Sequence, residues 1–380
     1  MKILYDHQIF TWQRYGGISN SFVQLIEHLP QNIEYDISVK DSDNVHLINS
    51  KLKKVKPLFK TESLFGKTKT PLKSKLFAQI CKYFPEMTSP MRNKKESIRL
   101  LKNNCFDVFH PTFYDDYFLP YLNGKPFVLT IHDMTPELFR RKDSQIELKK
   151  ILVKNAAHII TVSERTKDDL MDLLNIQEKN ITTIYHGAPD NHNDFYPDIM
   201  KGNKYILFVG KRNGYKAFVP MIRSISCWLR NHPDIKVVCT GDPFVEREKV
   251  IFRNENIEKQ VIYIRANDKE MKSLYNHAMC FVFPSFYEGF GIPILEAYSL
   301  HCPLFLSRHS CFPEIADDAA IYFDIDESGS NLAEKLDDFL TWNLDKKNWF
   351  LQKQGERLAL YSWEKSARKL TEVYEMVKQQ

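Results

Sequence analysis

The chain has 380 residues, of which 43% are apolar and 13% aromatic. It is too long for one ordinary core and apolar enough to fill two, which excludes wholesale disorder. No uncharged segment approaches the roughly 20 residues that cross a bilayer. The net charge of +5 is uneven: residues 51–100 carry 14 Lys and Arg against three acids, so the rest is net acidic. Seven scattered cysteines without a CxxC pair indicate reduced thiols in a cytoplasmic protein, not a disulfide framework or structural zinc site.

Short apolar runs alternate with helical patterns along the chain, which is typical of parallel α/β layers. In chain order the predicted strands are KILYD, IEYDISV, FDVFH, PFVLTI, HIITV and ITTIY, then YILFV, IKVVCT, VIYIR, CFVFP, PLFLS and AIYFD. Between the two sets, residues 187–203 are polar and rich in Pro, Gly, Asn and Asp, which predicts a linker. We therefore predict domains at 1–186 and 204–361, followed by a helix at about 362–380.

The stretch PSFYEGFGIPILEAY, which follows the strand CFVFP, combines a glycine-rich bend with two acids. Pro293 suits the first position of a helix, and amides near Gly291 would then point into the crevice beyond the strands, where an anion is favoured. Glu288 precedes this helix, and we place Glu296 in its first turn. The third glycine of GxGxxG is absent because Ile294 stands there, which argues against a dinucleotide site. A helix-start acid and a solvated loop acid remain the alternative reading of the pair.

The spacing of Glu288 and Glu296 resembles the E-x7-E signature of retaining glycosyltransferases of family 4, which have the GT-B fold. The resemblance extends to YILFVG, KSLYNHAMCFVFPS and PEIADDAAIYFD in the second half, and to RYGGISNSF, TIHDMTPE, ITVSERT and IYHG in the first. It implies two Rossmann-like domains with parallel sheets facing a central cleft, the acceptor on the first domain and the donor on the second. It also implies that the C-terminal helix returns to the N-terminal domain.

The resemblance assigns roles around the bend. Glu296 matches the glutamate that binds the nucleotide ribose, and Glu288 matches the one that faces the donor sugar. The backbone amides of Phe290, Gly291 and Ile292 match those that hold sugar hydroxyls and the diphosphate.

Three basic residues, Lys211, Arg212 and Lys216, follow the strand YILFV in the segment GKRNGYKAF. A fixed cation stabilises the charge that develops on a departing diphosphate. The resemblance assigns this role to Arg212 and Lys216, although exposed basic residues are commonplace at such a turn. Gly16 and Gly17 match the family's N-terminal glycine loop, which meets the donor phosphate, and a tight turn would also explain them.

His132 and Asp133 follow the strand PFVLTI. His132 resembles the family histidine that contacts the donor sugar and lines the reaction centre, and Asp133 is expected to orient it or to meet the acceptor. Asp324 and Asp326 would supply a metal motif, but the resemblance implies no metal and no cofactor, so we read both as turn formers.

The segment from Lys51 to Lys82 mixes lysines with apolar residues. Such a mixture suits an anionic membrane surface, a solvated loop being the alternative; no nucleic-acid module accompanies it. The resulting hypothesis is a cytoplasmic transferase, peripheral on the membrane, that moves a hexose from a UDP- or GDP-sugar to a bacterial surface glycan or lipid-linked acceptor. The alternatives are a nucleotide-sugar epimerase of the same fold and a non-catalytic nucleotide-sugar-binding subunit.

Overall fold

A computed structural model describes residues 1–60, 71–140, 143–189, 196–212, 214–326 and 329–379. Parts of the predicted basic region (61–70) and of the predicted linker (190–195) therefore lie outside the described residues. All twelve predicted strands are present, each within one or two residues of its apolar run at either end.

The first half of the chain forms parallel strands connected by helices. Its strands are β1 (Lys2–Tyr5), β2 (Glu34–Ile37), β3 (Val108–His110), β4 (Val128–Ile131), β5 (His158–Thr161) and β6 (Ile181–Thr183). Its helices are α1 (Gln8–Trp12), α2 (Gly17–Glu27), α3 (Val45–Asn49), α4 (Pro71–Tyr83), α5 (Ser89–Asn103), α6 (Thr135–Phe139), α7 (Ser144–Asn155) and α8 (Glu164–Leu174). The order β2-β1-β3 continues into β4-β5-β6 through a parallel bridge between Phe109 and Phe127.

The second half forms one six-stranded parallel sheet in the order β12-β11-β10-β7-β8-β9. Its strands are β7 (Lys204–Phe208), β8 (Ile235–Cys239), β9 (Val261–Tyr263), β10 (Cys280–Phe283), β11 (Leu304–Ser307) and β12 (Ile321–Phe323). Its helices are α9 (Phe218–Asn231), α10 (Glu246–Asn254), α11 (Asp268–His277), α12 (Ile292–Ser299), α13 (Phe312–Ala316), α14 (Leu332–Thr341) and α15 (Leu344–Leu358). Asn267 and Glu270 form a capping box at the start of α11, with reciprocal hydrogen bonds of 3.1 and 2.8 Å.

The last helix, α16 (Trp363–Lys378), belongs to the core of the first half. Leu370, Val373 and Tyr374 pack among the buried residues of β1 and α2. The Tyr374 hydroxyl lies 2.8 Å from the Tyr5 hydroxyl and 2.5 Å from His110 Nδ1. The helix is thus fixed by apolar burial and by a small buried polar network.

The chain divides into two compact units. One contains Met1–Val162, Thr166–His186 and the chain from Trp363 onward; the other contains Ser163–Arg165 and Gly187–Ser362. The domains predicted from the sequence, at 1–186 and 204–361, stay a prediction. Within the described residues, every helix is too short or too polar to cross a bilayer.

Candidate functional site

The order of the second sheet locates a crevice at the carboxyl ends of β7 and β10. These two strands are paired neighbours in the sheet, although 71 residues lie between Phe208, the last residue of β7, and Cys280, the first residue of β10. From them the strand order runs outward in opposite directions, β7-β8-β9 and β10-β11-β12. Such a switch point is where open α/β sheets bind their ligands. The loop after β7 carries Arg212 and Lys216, and the loop after β10 carries Glu288.

Lys216 and Glu288 meet at this switch point. Lys216 Nζ lies 2.5 Å from Glu288 Oε1, and the two side chains are only 19% and 14% exposed. The ammonium group also lies 5.6 Å from the centre of the Phe283 ring, at the end of β10. A partly desolvated cation and a carboxylate, both predicted from separate motifs, therefore form one charged centre.

The backbone of Glu288 is clamped by the loop that follows β11. The Ser310 hydroxyl accepts from Glu288 N at 3.0 Å and donates to Glu288 O at 2.7 Å. Ser307, the last residue of β11, makes a second connection to the loop after β10 by donating to Ser285 O at 2.6 Å. The sequence motifs did not point to Ser310, whose left-handed φ of 57° is unusual for a residue with a side chain.

Gly291 starts helix α12 in a backbone conformation that only glycine adopts easily. Its φ is +87°, and an added Cβ would lie 3.0 Å from Ile294 Cδ1 and 3.3 Å from Phe312 Cε1. Because the helix begins immediately after Gly291, Ile292 takes its first position, and the prediction that Pro293 does so is wrong by one residue. Of the first residues of α12, Pro293 has no N–H and Ile294 N already donates to Gly291 O at 2.9 Å, which leaves the amide of Ile292 as the one suited to an anion. Phe290, just before them, is buried against the Tyr361 ring.

Glu296 is the fifth residue of α12, so its predicted place in the first turn is wrong. It is fixed instead by Tyr275, whose hydroxyl donates to Glu296 Oε2 at 3.0 Å. Burial of this carboxyl group raises its pKa above the ordinary value, and the hydrogen bond from Tyr275 partly opposes the rise. Tyr275 comes from α11 and was not singled out in the sequence.

Arg212 lies in a different environment from Lys216. Its guanidinium pairs with Glu248 at 2.8 Å, the two side chains being 4% and 5% exposed. It also donates to the carbonyl oxygens of Asp242, at 2.6 Å, and Pro243, at 3.0 Å. These contacts tie the loop after β7 to the loop after β8. Contact of Arg212 with a donor phosphate stays a prediction.

In the first unit, Gly16 and Gly17 lie at the start of α2. Gly16 is the N-cap residue, and Gly17 is the first residue of the helix. The side chain of Gln13 occupies the space that a Cβ added to Gly16 would need. Gln13 Oε1 accepts from Ser19 N at 3.0 Å, so it satisfies one amide of the helix terminus. A ligand phosphate at this terminus would compete with Gln13, a residue that the motifs did not indicate.

His132 follows β4 and lines a small pocket with Ser21, Phe22 and His186. Its ring lies 6.4 Å from that of His186 and 5.7 Å from that of Phe22, centre to centre. Burial lowers the pKa of His132 to about 3, so the ring is neutral at pH 7. His132 is 8% exposed, and its Nε2 has no hydrogen-bond partner among the described residues.

A buried ion pair supports the loop that carries His132 and Asp133. Lys149, which is fully buried, lies 3.0 Å from the Glu137 carboxylate and donates to Asp133 O at 2.9 Å. Asp133 Oδ1 accepts from the backbone of Thr135 at 2.9 Å, which turns it toward the start of α6. Lys149 and Glu137 were not recognised in the sequence, where each looks like an ordinary helix charge.

Two family models match successive parts of the chain. Glycosyltransferase Family 4 matches residues 15–192, and Glycosyl transferases group 1 matches residues 191–355. Together they contain every candidate residue described above.

Two curated relatives are mannosyltransferases. The chain is 30% identical to the O-antigen chain mannosyltransferase RfbU of Salmonella typhimurium over 53% of its own length and 58% of the relative's. It is 26% identical to the O-antigen chain mannosyltransferase B of Escherichia coli over 61% and 65%, respectively. Each match thus spans less than two thirds of the relative's own length.

Solved structures resemble the whole chain. The Anabaena protein HepE, in complex with UDP and glucose, has a TM-score of 0.74 at 15% identity and covers 99% of this chain and 100% of its own. Sucrose-phosphate synthase of Thermosynechococcus elongatus has a TM-score of 0.69 at 15% identity, covering 99% and 98%. At this identity the likeness concerns the fold alone, and the predicted GT-B fold is confirmed.

Proposed function

Because the chain belongs to glycosyltransferase family 4, we propose that it is a retaining glycosyltransferase that moves a hexose from a UDP- or GDP-sugar to a hydroxyl group. The proposed acceptor is a bacterial surface glycan or a lipid-linked precursor of one, in the cytoplasm. Both relatives are named as mannosyltransferases, which supports a mannosyl donor as the first to be tested. Because HepE binds UDP, UDP-sugars are tested as donors as well.

The observation that carries this proposal is the pair formed by Lys216 and Glu288 at the switch point of the second sheet. A departing nucleoside diphosphate gains negative charge, which a fixed ammonium group stabilises more in the transition state than in the ground state. In the structure this ammonium is neutralised by Glu288. In the proposed complex Lys216 turns to the diphosphate, and Glu288 faces the sugar carbon on which positive charge develops.

Other residues of the second unit complete the donor site in this proposal. The backbone amides of Gly291 and Ile292, at the start of α12, hold phosphate oxygens, and Glu296 binds the ribose hydroxyls. In the first unit, His132 is neutral and its Nε2 has no partner among the described residues, so it is suited to a hydrogen bond with a sugar hydroxyl. In this proposal Lys216 supplies the positive charge that a metal ion supplies in metal-dependent transferases. Activity is therefore expected to persist in the presence of EDTA.

The test is sugar transfer from GDP-mannose and a panel of UDP- and GDP-hexoses by the full chain. We expect Lys216→Met to lower kcat by about two to three orders of magnitude, which is typical for the loss of one electrostatic contact to the transition state. The matched control is Lys204→Met, because Lys204 forms an exposed ion pair with Asp234 in the same unit. Activity of Lys216→Met close to that of the Lys204→Met control would contradict the proposal. The anomeric configuration of the product, measured by NMR coupling, tests retention.

The second part of the proposal concerns α4, which lies in the basic region. Leu72, Leu76 and Tyr83 are exposed and share one face of the helix, and Lys75 and Lys82 lie beside that face. Apolar insertion with flanking lysines suits binding to anionic lipid headgroups. We therefore infer peripheral attachment to the membrane through α4.

Vesicle flotation tests the attachment separately from catalysis. The variant Lys75→Glu/Lys82→Glu is expected to lose binding to vesicles containing phosphatidylglycerol, with each reversed lysine costing at least about 1 kcal/mol. The control is Lys346→Glu/Lys347→Glu on α15. Equal flotation of both variants would remove the membrane proposal and leave the transferase proposal standing.

A further inference from the structure

A row of aromatic rings connects the protein surface to the backbone of His132. Trp12 is 49% exposed, and its ring meets that of Phe113 edge to face at 5.6 Å between centres. Phe113 lies 4.7 Å from the ring of Tyr114. The Tyr114 hydroxyl then accepts from His132 N at 3.0 Å. Two ring-to-ring contacts and one hydrogen bond therefore connect the exposed indole of Trp12 to His132, a residue of the predicted reaction centre.

The strand order explains why these residues meet. Trp12 ends α1 directly after β1, Phe113 and Tyr114 follow β3, and His132 follows β4. The three strands are parallel and adjacent, in the order β1-β3-β4, so their carboxyl ends share one edge. This is the edge at which parallel sheets bind ligands.

The inner end of the row is rigid. Tyr114 is 5% exposed, and the buried ammonium group of Lys149 lies 4.9 Å from its ring centre. The same ammonium group donates to Asp133 O, so Tyr114 and the loop after β4 are held together. Phe113 packs on this fixed ring, and Trp12 packs on Phe113. The exposed indole is therefore held at a defined place instead of moving freely at the surface.

We propose that Trp12 is a binding platform for a sugar ring of the acceptor, next to the sugar that receives the transferred hexose. One face of a hexose presents C–H groups and its rim presents hydroxyls, a combination that suits the face of an indole ring with water at its edges. A tryptophan side chain gives this contact area at low cost in conformational entropy. Trp12 and His132 lie at the same edge of the sheet, so the sugars proposed at the two residues belong to one short oligosaccharide. The inference rests on the proposed function, which it deepens by naming a carbohydrate as the acceptor's recognised part.

The direct test observes the tryptophan rings themselves. The chain has five tryptophans, so incorporation of 5-fluorotryptophan gives a simple fluorine NMR spectrum that Trp→Phe variants assign. Mannotriose at millimolar concentration is expected to shift the Trp12 resonance and leave that of Trp349 unchanged. Trp349 is the matched control because it is 55% exposed and lies on α15 in the other unit. Equal response of both resonances, or no response to mannotriose or maltotriose, overturns the proposal.

Kinetics gives a second readout that a structural role would not produce. With mannotriose as acceptor, Trp12→Ala is expected to raise the acceptor KM by about tenfold, typical of a lost aromatic anchor, with little change in the donor KM. Trp12→Phe keeps a smaller ring and should rescue most of this loss, whereas Trp349→Ala should resemble the parent. An unchanged acceptor KM in Trp12→Ala, with the thermal unfolding midpoint preserved, overturns the platform.

The outcomes separate this inference from the function on which it rests. Transfer that depends on Lys216 but not on Trp12 leaves the proposed function intact and refutes the platform. A Trp12 resonance that responds to anionic vesicles and not to oligosaccharides assigns the indole to a membrane contact, which also refutes it. Failure of transfer with every donor refutes the proposed function, while the fluorine spectrum still decides whether Trp12 binds a sugar.

Discussion

Replacement of Arg212 by methionine separates two roles for this side chain. The sequence resemblance places Arg212 on the donor diphosphate, whereas the structure places its guanidinium beside Glu248 with both side chains almost fully buried. Methionine keeps most of the aliphatic volume and removes the charge. We expect the main effect to be on folding stability, because Glu248 is left buried without its partner.

The magnitude follows from the contacts that disappear. Removing one partner of a buried ion pair typically lowers the free energy of unfolding by about 3 to 5 kcal/mol. Glu248 Oε2 retains the backbone amide of Val245 at 2.9 Å, so we expect the lower end of this range. In a unit of this size each kcal/mol lowers the thermal midpoint by roughly 2 to 4 °C, which gives a decrease on the order of 10 °C.

Urea unfolding of Arg212→Met, Glu248→Gln and the double variant measures the coupling between the two residues. The double variant should be more stable than the sum of the single effects predicts, by about 2 kcal/mol, since it leaves no unpaired buried charge. GDP- and UDP-induced stabilisation is measured on the same variants. An unchanged unfolding midpoint in Arg212→Met, combined with loss of the nucleotide effect, would refute the structural role and favour the predicted ligand contact.

Three further predictions concern the backbone, the buried histidine and the support beneath it. Gly291→Ala should destabilise by about 1 to 3 kcal/mol and weaken nucleotide binding, while Gly202→Ala, with a similar φ of +79° and open space around it, should show the backbone strain alone in urea unfolding. Because the pKa of His132 falls from 6.5 to about 3 on folding, the unfolded chain binds the extra proton and stability is lost as pH falls below about 6.5. His132→Gln should therefore remove about 2 kcal/mol of the loss in unfolding free energy between pH 7 and pH 5, and an identical pH dependence in the two proteins would contradict the assignment. Lys149→Met should cost about 3 to 5 kcal/mol, and adding Glu137→Leu should restore much of it; strict additivity in urea unfolding would show that the pair is not coupled.

Much of the fold could be read from the sequence because its signals are local. The central strands of the parallel sheets, such as β4, β10 and β11, are buried on both faces and therefore appear as continuous apolar runs. The stretch from Glu288 to Glu296 was equally legible, since a bend, a proline and a helix lie next to one another in the chain. Even there the exact start of α12 depended on Gly291. The helix begins at Ile292, one residue earlier than predicted, so Glu296 falls beyond the first turn.

The partners of the candidate residues were decided only by the tertiary structure. Lys216 meets Glu288 because β7 pairs with β10, and no local pattern specifies that pairing. The same reason applies to Ser310 on Glu288 and to Glu248 on Arg212, where a loop from another strand supplies the contact. Residue types and their spacing thus determined which groups are chemically suited to bind or to catalyse. They do so because backbone conformation and the periodicity of burial are local properties of the sequence. Strand order and packing determined which of those groups touch, because contacts between distant segments form only when the sheet is assembled.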